Sequence, residues 1–450
     1  MANTQSRDLT VGGVRGAIMR FAAPLFLSQL FQQLYNSVDS LIVGNFLGKQ
    51  ALAAVGSSGS LIFLMIGFFG GISVGAGVVI SRYFGARERE RVLLAIHTNI
   101  AFGLASGAFL MVFGIVMTPH ILRWMGTAPD VIDQSISYFR VYFLGAIPLV
   151  MYNTLTGVMR ALGDSKRPLY YLFFSSLLNV ALDLLFVGAL GMGVGSAAAA
   201  TAIAQGASML LCFANLSKKT AEFRVELRLI RFDPDMLREI VRNGIPAGVQ
   251  NSVISIANVL VQTYINSFGS DAMAACGSYN KLESFCFLPV MSFSAAITTT
   301  VSQNLGAKRY DRAKQAARFG IIVAVALSEA IALLLIAFSD TLIALFNSDP
   351  AVVAIGSLQC RVELPFFFLP CFSHSVAGVC RGAGKSKVPM FIMLSTWCLF
   401  RILYLTVTMN LVHEIRFLFY AYPITWTLSS VIFLVYFLKS DWLHGFDDEP

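Results

Sequence analysis

Two aspartates sit where aspartates are costly. Asp39 and Asp183 lie inside long apolar stretches, and each closes a run of polar residues at three- and four-residue steps: Gln29, Gln32, Asn36 and Asp39 in one, Ser175, Ser176, Asn179 and Asp183 in the other. That spacing puts each run on a single face of a helix. An ionised carboxylate without a partner is expensive in hydrocarbon, so two such stripes call for each other, for water or for a cation. Facing carboxylates either share a proton or stay ionised around a cation. Both outcomes describe a coupling-ion site; the alternative is a polar clamp between helices that holds no ion.

The elements that carry these stripes follow from composition. The chain has 450 residues, 56% hydrophobic and only 13% charged, with a mean hydropathy of +0.70. Soluble domains carry about a quarter charged residues. The apolar stretches recur along the whole length, each near the ~20 residues a helix needs to cross a bilayer, and none alternates as a barrel strand would. The expected fold is therefore an all-α integral membrane protein. Reading between breaks gives twelve spans, near 17–43, 51–81, 92–117, 131–157, 168–190 and 193–216, then 238–266, 272–304, 315–339, 352–379, 388–411 and 415–438. Outside the spans, Lys and Arg gather in the N-terminus, every second loop and the C-terminus, and only Lys49, Arg123 and Arg416 lie on the opposite side. The positive-inside rule then places both termini in the cytoplasm, with the lipid bilayer of the cell inner (plasma) membrane as the surroundings. The first sixteen residues show no cleavable signal, so the first span serves as the insertion signal.

The longest hydrophilic stretch divides the spans six and six, which sets an N-lobe at 1–216, a cytoplasmic linker at 217–237 and a C-lobe at 238–450. The halves repeat at one constant offset: Gly48 recurs as Gly269, Gly85 and Ala86 as Gly306 and Ala307, and Arg160, Gly163, Ser165, Lys166 and Pro168 as Arg381, Gly384, Ser386, Lys387 and Pro389. Halves with an even number of spans enter the membrane in the same orientation, so this is a parallel repeat of the kind found in transporters. Functional residues are expected where the halves disagree. Asp39 is matched by Leu260 and Asp183 by Tyr404, while Asn153, Asn179 and Thr201 are matched by His374, Phe400 and Tyr422. The first half alone thus carries two acids with amide and hydroxyl companions.

Span 7 has a neutral stripe of Asn251, Ser255, Asn258 and Gln262. Together with Gln32 and Asn36 it suits either a water-filled substrate cleft or helix-to-helix hydrogen bonding. Pro24, with Pro246 at the corresponding place in span 7, is a candidate hinge or a static kink. The second half also buries Lys281, Glu283, Glu329, Arg361, Glu363 and Arg401. Internal ion pairs are expected for most of them, with Glu283 and Glu363 the candidates for contact with a cationic substrate.

No GxxxxGK[ST], HExxH or GxSxG motif is present, and the seven cysteines show no CxxC spacing, so neither an enzyme nor a cofactor or resident metal is expected. The net charge of +8 is spread over loops, and no nucleic-acid partner is expected. A monomer acting on small-molecule substrates is the expectation.

The segment Leu34-Tyr-Asn-Ser-Val-Asp-Ser-Leu-Ile-Val-Gly44, the following LGKQALAAVG, Gln303-Asn-Leu-Gly-Ala307 and Arg381-Gly-Ala-Gly-Lys-Ser386, in this order on a six-plus-six repeat, resemble the multidrug and toxic compound extrusion (MATE) family. The resemblance covers nearly the whole chain. It implies two six-helix lobes around a cleft and alternating-access export of amphipathic, often cationic compounds by antiport against H+ or Na+, with H+ the favoured ion here. A flippase of the same superfamily, moving lipid-linked or amphipathic lipid substrates, is the alternative. The DinF-like and archaeal branch has an N-lobe cation site whose positions match Asp39, Asn179, Asp183, Asn153 and Thr201. The NorM-like branch adds acids in the seventh and tenth spans, where Ile254 and Pro370 stand here.

Overall fold

The computed structural model describes residues 8–124, 127 and 131–446; the side chains of 49–50, 52–54 and 56–66 lie outside the described set, and Lys49 and most of LGKQALAAVG fall there. Every regular element among the described residues is helical. In chain order these are α1 Val14–Ala86, α2 Arg89–Trp124, α3 Ile132–Leu144, α4 Ala146–Ala161, α5 Lys166–Asp183, α6 Gly195–Leu216, α7 Pro234–Asn266, α8 Ser270–Gly306, α9 Tyr310–Ala337, α10 Ser339–Phe346, α11 Pro350–Glu363, α12 Phe368–Gly382, α13 Lys387–Met393, α14 Arg401–Leu411 and α15 Ile415–Lys439. A π-helical turn, Leu184–Ala189, extends α5, and another, Leu394–Phe400, joins α13 to α14.

Among the described residues nine helices are individually long and apolar enough to cross a membrane, and eleven spans result if each of two bent pairs counts as one. The remaining expected span is the first part of α1, whose glutamine, asparagine and aspartate stripe dilutes its hydropathy. At 73 residues α1 is two spans joined at Gly48, where φ is 84° and ψ is −173°. The join of α7 to α8 repeats this at Gly269, with φ 93° and ψ −177°. Glycine alone enters this region without a Cβ clash. The repeat reappears in further backbone detail. Arg87 and Lys308, at matched positions, are the two described non-glycine residues with positive φ, at 61° and 55°. The fourth span of each half is broken, α3 against α4 by 48° and α11 against α12 by 49°.

The chain packs as two compact units that exchange their first helical segments. Unit 1 contains Leu27–Gly248, and unit 2 contains Leu9–Phe26 with the chain from Val249 onward. The packing boundary thus differs from the division of the sequence at 216 and 238, for a physical reason visible inside each unit. In unit 1 the 217–237 linker is fixed by backbone donors: Glu226 N–H to His97 Nε2 at 3.1 Å and Asp233 N–H to Thr98 Oγ1 at 3.3 Å. Phe223, Val225, Met236 and Ile240 are buried in the core with Ile80, Ile96, Ile100 and Leu155. The start of α7 then lies backbone to backbone on α1, where a Cβ on Gly71 or Gly75 would strike the main chain at Gly248 or Gly244. Two small-xxx-small faces of this kind let helices approach closely.

In unit 2 the segment before α1 is held in the same manner by Arg309 Nη1 to the Thr10 carbonyl at 2.6 Å and Arg312 Nη1 to the Gly12 carbonyl at 2.7 Å. Ile18, Phe21 and Leu25 enter a core with Tyr279, Phe293, Phe367 and Trp426. All seven cysteines are free and buried, as small hydrophobes.

Candidate functional site

The two aspartates meet. Asp39 projects from the first span of α1 and Asp183 is the last residue of α5 before the π-helical turn, and their carboxyl groups lie within hydrogen-bonding reach of one another. Interrupted helices of this kind recur at functional sites because the widened turn redirects side chains. Asp183 is fully enclosed. Asn179, one turn earlier on α5, links it to α6. With its amide oriented to satisfy both ends, Asn179 donates to Asp183 Oδ2 at 2.8 Å and its oxygen accepts from the Thr201 N–H at 3.1 Å and hydroxyl at 3.2 Å. Tyr35, one turn before Asp39, places its hydroxyl 3.5 Å from Thr201 Oγ1. Tyr138 and Tyr142 of α3 stack on one another at 6.1 Å, and Tyr138 stands within electrostatic reach of the pair. Ile42, Val43, Val187, Val194 and Ala197 form an apolar floor.

One oxygen of each acid, Asp39 Oδ1 and Asp183 Oδ1, is buried without a hydrogen-bond partner. An acceptor in that position calls for a proton or a cation, because burial without a partner costs about 1–3 kcal/mol, more for a charged group. The donor set is carboxylate, amide and hydroxyl oxygen, which suits a hard monovalent ion as well as a shared proton. Among the described residues no group of three His, Cys, Asp or Glu side chains could hold a metal ion.

The structure brings together Asp39, Asp183, Asn179 and Thr201 from the sequence-derived set. It does not bring in Asn153, whose side chain is exposed and whose amide donates to the Leu149 carbonyl of its own helix at 2.9 Å. The tyrosines were missed. The available signal was the four-residue step from Tyr35 to Asp39, which continues the polar stripe.

The residues assigned to a substrate cleft distribute over both units. In unit 1 Gln32 and Asn36 are exposed on α1. In unit 2 Asn251 is partly buried, Asn258 is exposed, and the Gln262 amide donates to Asn266 Oδ1 at 2.9 Å. Glu283 is half-buried. Glu363 is wholly enclosed and accepts from Gln359 Nε2 at 2.8 Å. Pro24 is buried in unit 2, and the chain passes from unit 2 to unit 1 between Phe26 and Leu27.

The expectation that most second-half charges pair internally is corrected. Within that set only Arg361 has an ionic partner among the described residues, Asp340 at 3.0 Å, on an exposed face. Lys281 lies over the Phe346 ring at 5.1 Å, Glu329 accepts the Phe368 N–H at 2.8 Å, and Arg401 lies over Tyr422 at 4.4 Å and donates to Thr425. Aromatic faces and helix ends accommodate these charges without ion pairs, since each partner removes part of the desolvation cost.

The MatE family model matches the chain twice, over residues 24–185 and 246–407, one match in each half of the repeat. The probable multidrug resistance protein YoeA of Bacillus subtilis (strain 168) is 31% identical over 381 residues, 83% of this chain and 82% of that protein. The probable multidrug resistance protein YpnP of the same strain is 29% identical over 402 residues, 87% of this chain and 88% of that protein. A solved MOP superfamily transporter from Pyrococcus furiosus Vc1 (DSM3638) superposes with a TM-score of 0.90 over 97% of both chains at 22% identity, which establishes the common fold. With helical spans in two repeated halves and a family match in each, the chain belongs to the MatE family, a multi-pass membrane transporter and not an enzyme.

Proposed function

We propose that this chain is a secondary active multidrug exporter that couples outward movement of amphipathic, often cationic compounds to inward movement of a cation, with H+ favoured over Na+. The relatives named as multidrug resistance proteins support the substrate class. The observation that carries the coupling is the Asp39–Asp183 contact, two carboxyl groups with one orphaned buried oxygen each. Such a pair accepts one positive charge and changes its packing when it does so. Asn179 and Thr201 hold Asp183 in place, and Asn153 joins the set in a state where its side chain turns from its own helix.

Inward passage of one cation down about 100 mV supplies roughly 2.3 kcal/mol before any concentration gradient, enough to bias two alternating states. The cation entering from outside neutralises the acids and lets the polar faces of α1 and α5 pack closer, with α1 bending near Pro24. Substrate leaves outward as a result. The setting proposed is the inner (plasma) membrane with both termini cytoplasmic, the protein acting as a monomer without a cofactor.

Reconstituted vesicles test this reading. Under an imposed ΔpH without Na+, substrate addition should release protons, and Asp39→Asn or Asp183→Asn should abolish the release. Transport that requires Na+ and ignores ΔpH would overturn the proton choice, whereas transport indifferent to both ions and both substitutions would overturn the site.

A further inference from the structure

Unit 1 has a cavity of about 310 Å3 where the turn from α4 to α5, the end of α6 and the linker meet. Its floor is apolar, with Met159, Leu162 and Phe223 all buried, and its rim is polar, with Arg167 and Tyr171 of α5 and Lys218 and Glu222 of the linker. The repeat does not require such a place. At the matched positions of the second half, Val388 stands for Arg167, Ile392 for Tyr171, Trp442 for Ala221 and Leu443 for Glu222, and all four belong to one hydrophobic core of unit 2. Trp442 is buried and stacks on Phe437 at 5.6 Å. Lys385, at the position of Asp164, holds that segment down by donating from Nζ to the Asp441 carbonyl at 2.7 Å. Unit 2 thus fills with apolar side chains what unit 1 keeps open and lines with charge, and packing alone gives no reason for the difference. The charges lean to the positive side. Asp164 is spent within the turn, accepting from the Lys166 and Arg167 N–H groups at 3.2 and 3.1 Å and pairing with Arg167 Nη1 at 3.4 Å. Arg89 adds a third basic side chain beside the rim, its Nη2 donating to the Glu222 carbonyl at 3.2 Å.

We propose that this cavity binds the headgroup of an anionic phospholipid of the phosphatidylglycerol kind, with the phosphate between Arg167 and Lys218 and a headgroup hydroxyl donating to Glu222. Fixed guanidinium and mobile ammonium groups are the usual partners of a phosphate ester. The source of that phosphate is the bilayer, because the cavity continues into the lipid-facing side of a span. Arg167, Tyr171 and Phe174 follow at four- and three-residue steps on one face of α5; the first two line the cavity, and Phe174 is exposed beyond it. Tyr170 and Phe173, also exposed, complete an aromatic belt of the type found at headgroup level. With both termini cytoplasmic as proposed, this level belongs to the inner leaflet, whose anionic lipids are drawn to basic pockets between helices. The site lies at the opposite end of α5 from Asp183 and rests on no step of the transport reading.

The experiment is isothermal titration of the full-length protein, purified in an uncharged detergent, with dihexanoyl phosphatidylglycerol below its micellar concentration. Saturable binding is expected, weakened roughly 5-fold in Lys218→Gln, as loss of one basic residue at a membrane surface implies. Binding should be lost in Ala221→Trp, which gives unit 1 the side chain that fills the matched position of unit 2. Dihexanoyl phosphatidylcholine has the same chains and phosphate but carries a cation in place of the hydroxyls, and should bind at least about 5-fold more weakly. Absence of saturable binding, equal affinity for the two lipids, or affinity unchanged in Ala221→Trp would each overturn the proposal. Inorganic phosphate binding as tightly as the lipid would overturn the lipid assignment in favour of a soluble anion. If Ala221→Trp does not fold, Lys218→Gln at its exposed position decides, and unchanged affinity there overturns the proposal.

Discussion

Asp183 and Asn179 form one bonded unit that reaches from α5 to α6, the amide donating to Asp183 Oδ2 at 2.8 Å while accepting from the Thr201 main chain. Asp183 is thereby fixed, and Asp39 on α1 is the acid that faces it. In the proposed coupling, acceptance of the ion depends on a rigid acid and an acid on a second helix.

Replacement of Asp39 by Asn is therefore expected to abolish coupled export while leaving a folded, inserted protein. The amide keeps the shape but exchanges no proton and neutralises no cation. Drug resistance of cells at matched expression checks this: normal resistance in Asp39→Asn would reduce the residue to a clamp.

Loss of the Asn179 bridge should be milder. Hydrogen bonds to charged groups contribute about 1.5–3 kcal/mol, so Asn179→Leu or Thr201→Ala should raise the ion concentration for half-maximal transport by roughly 10- to 100-fold, with maximal transport retained at saturating ion. Tyr35→Phe, which removes only a 3.5 Å contact, should change it by less than about 3-fold. Ion titrations of transport rate separate the three variants.

Much of this was legible in the sequence, because a membrane chain announces its spans by hydropathy and its buried acids by their rarity. The stripe from Gln29 to Asp39 and that from Ser175 to Asp183 pointed to both helices of the candidate site, and the mismatch between halves pointed to Asn179 and Thr201 together with Asn153, which lies apart. Tyr138 and Tyr142 were not legible, since they differ from any membrane tyrosine only by where α3 packs. The exchange of first segments was hidden for a similar reason: Gly71, Gly75, Gly244 and Gly248 match as packing faces only in three dimensions. The second-half charges read as ion pairs from sequence because a cation over an aromatic face has no fixed spacing along the chain.

Topology is checked independently of transport. Single cysteines placed at Lys219 and Lys308 should be labelled from the cytoplasm and one at Asn410 from outside, by the alternation of basic loops. Outside labelling at position 219 would contradict the twelve-span arrangement.

The glycine contact in unit 1 yields a prediction with an internal control. Within one stretch of α1, a methyl on Gly71 or Gly75 would strike the backbone of α7, whereas at Gly70 and Gly77 it would meet nothing within 4 Å. Alanine in a helix is favoured over glycine by about 1 kcal/mol. Overpacking against backbone costs about 1–3 kcal/mol, since main chain cannot step aside as a flexible side chain does. The steric term should win at 71 and 75, so Gly71→Ala and Gly75→Ala should lower the temperature at which the detergent-solubilised protein loses its monodisperse peak. Gly70→Ala and Gly77→Ala should hold it or raise it. The reciprocal change Gly244→Ala, whose methyl would meet the Ile72 main chain, should behave like Gly75→Ala, and combining the two should cost less than the sum because both force the same separation of α1 from α7. Equal behaviour of all four α1 positions would show that these helices are not in backbone contact.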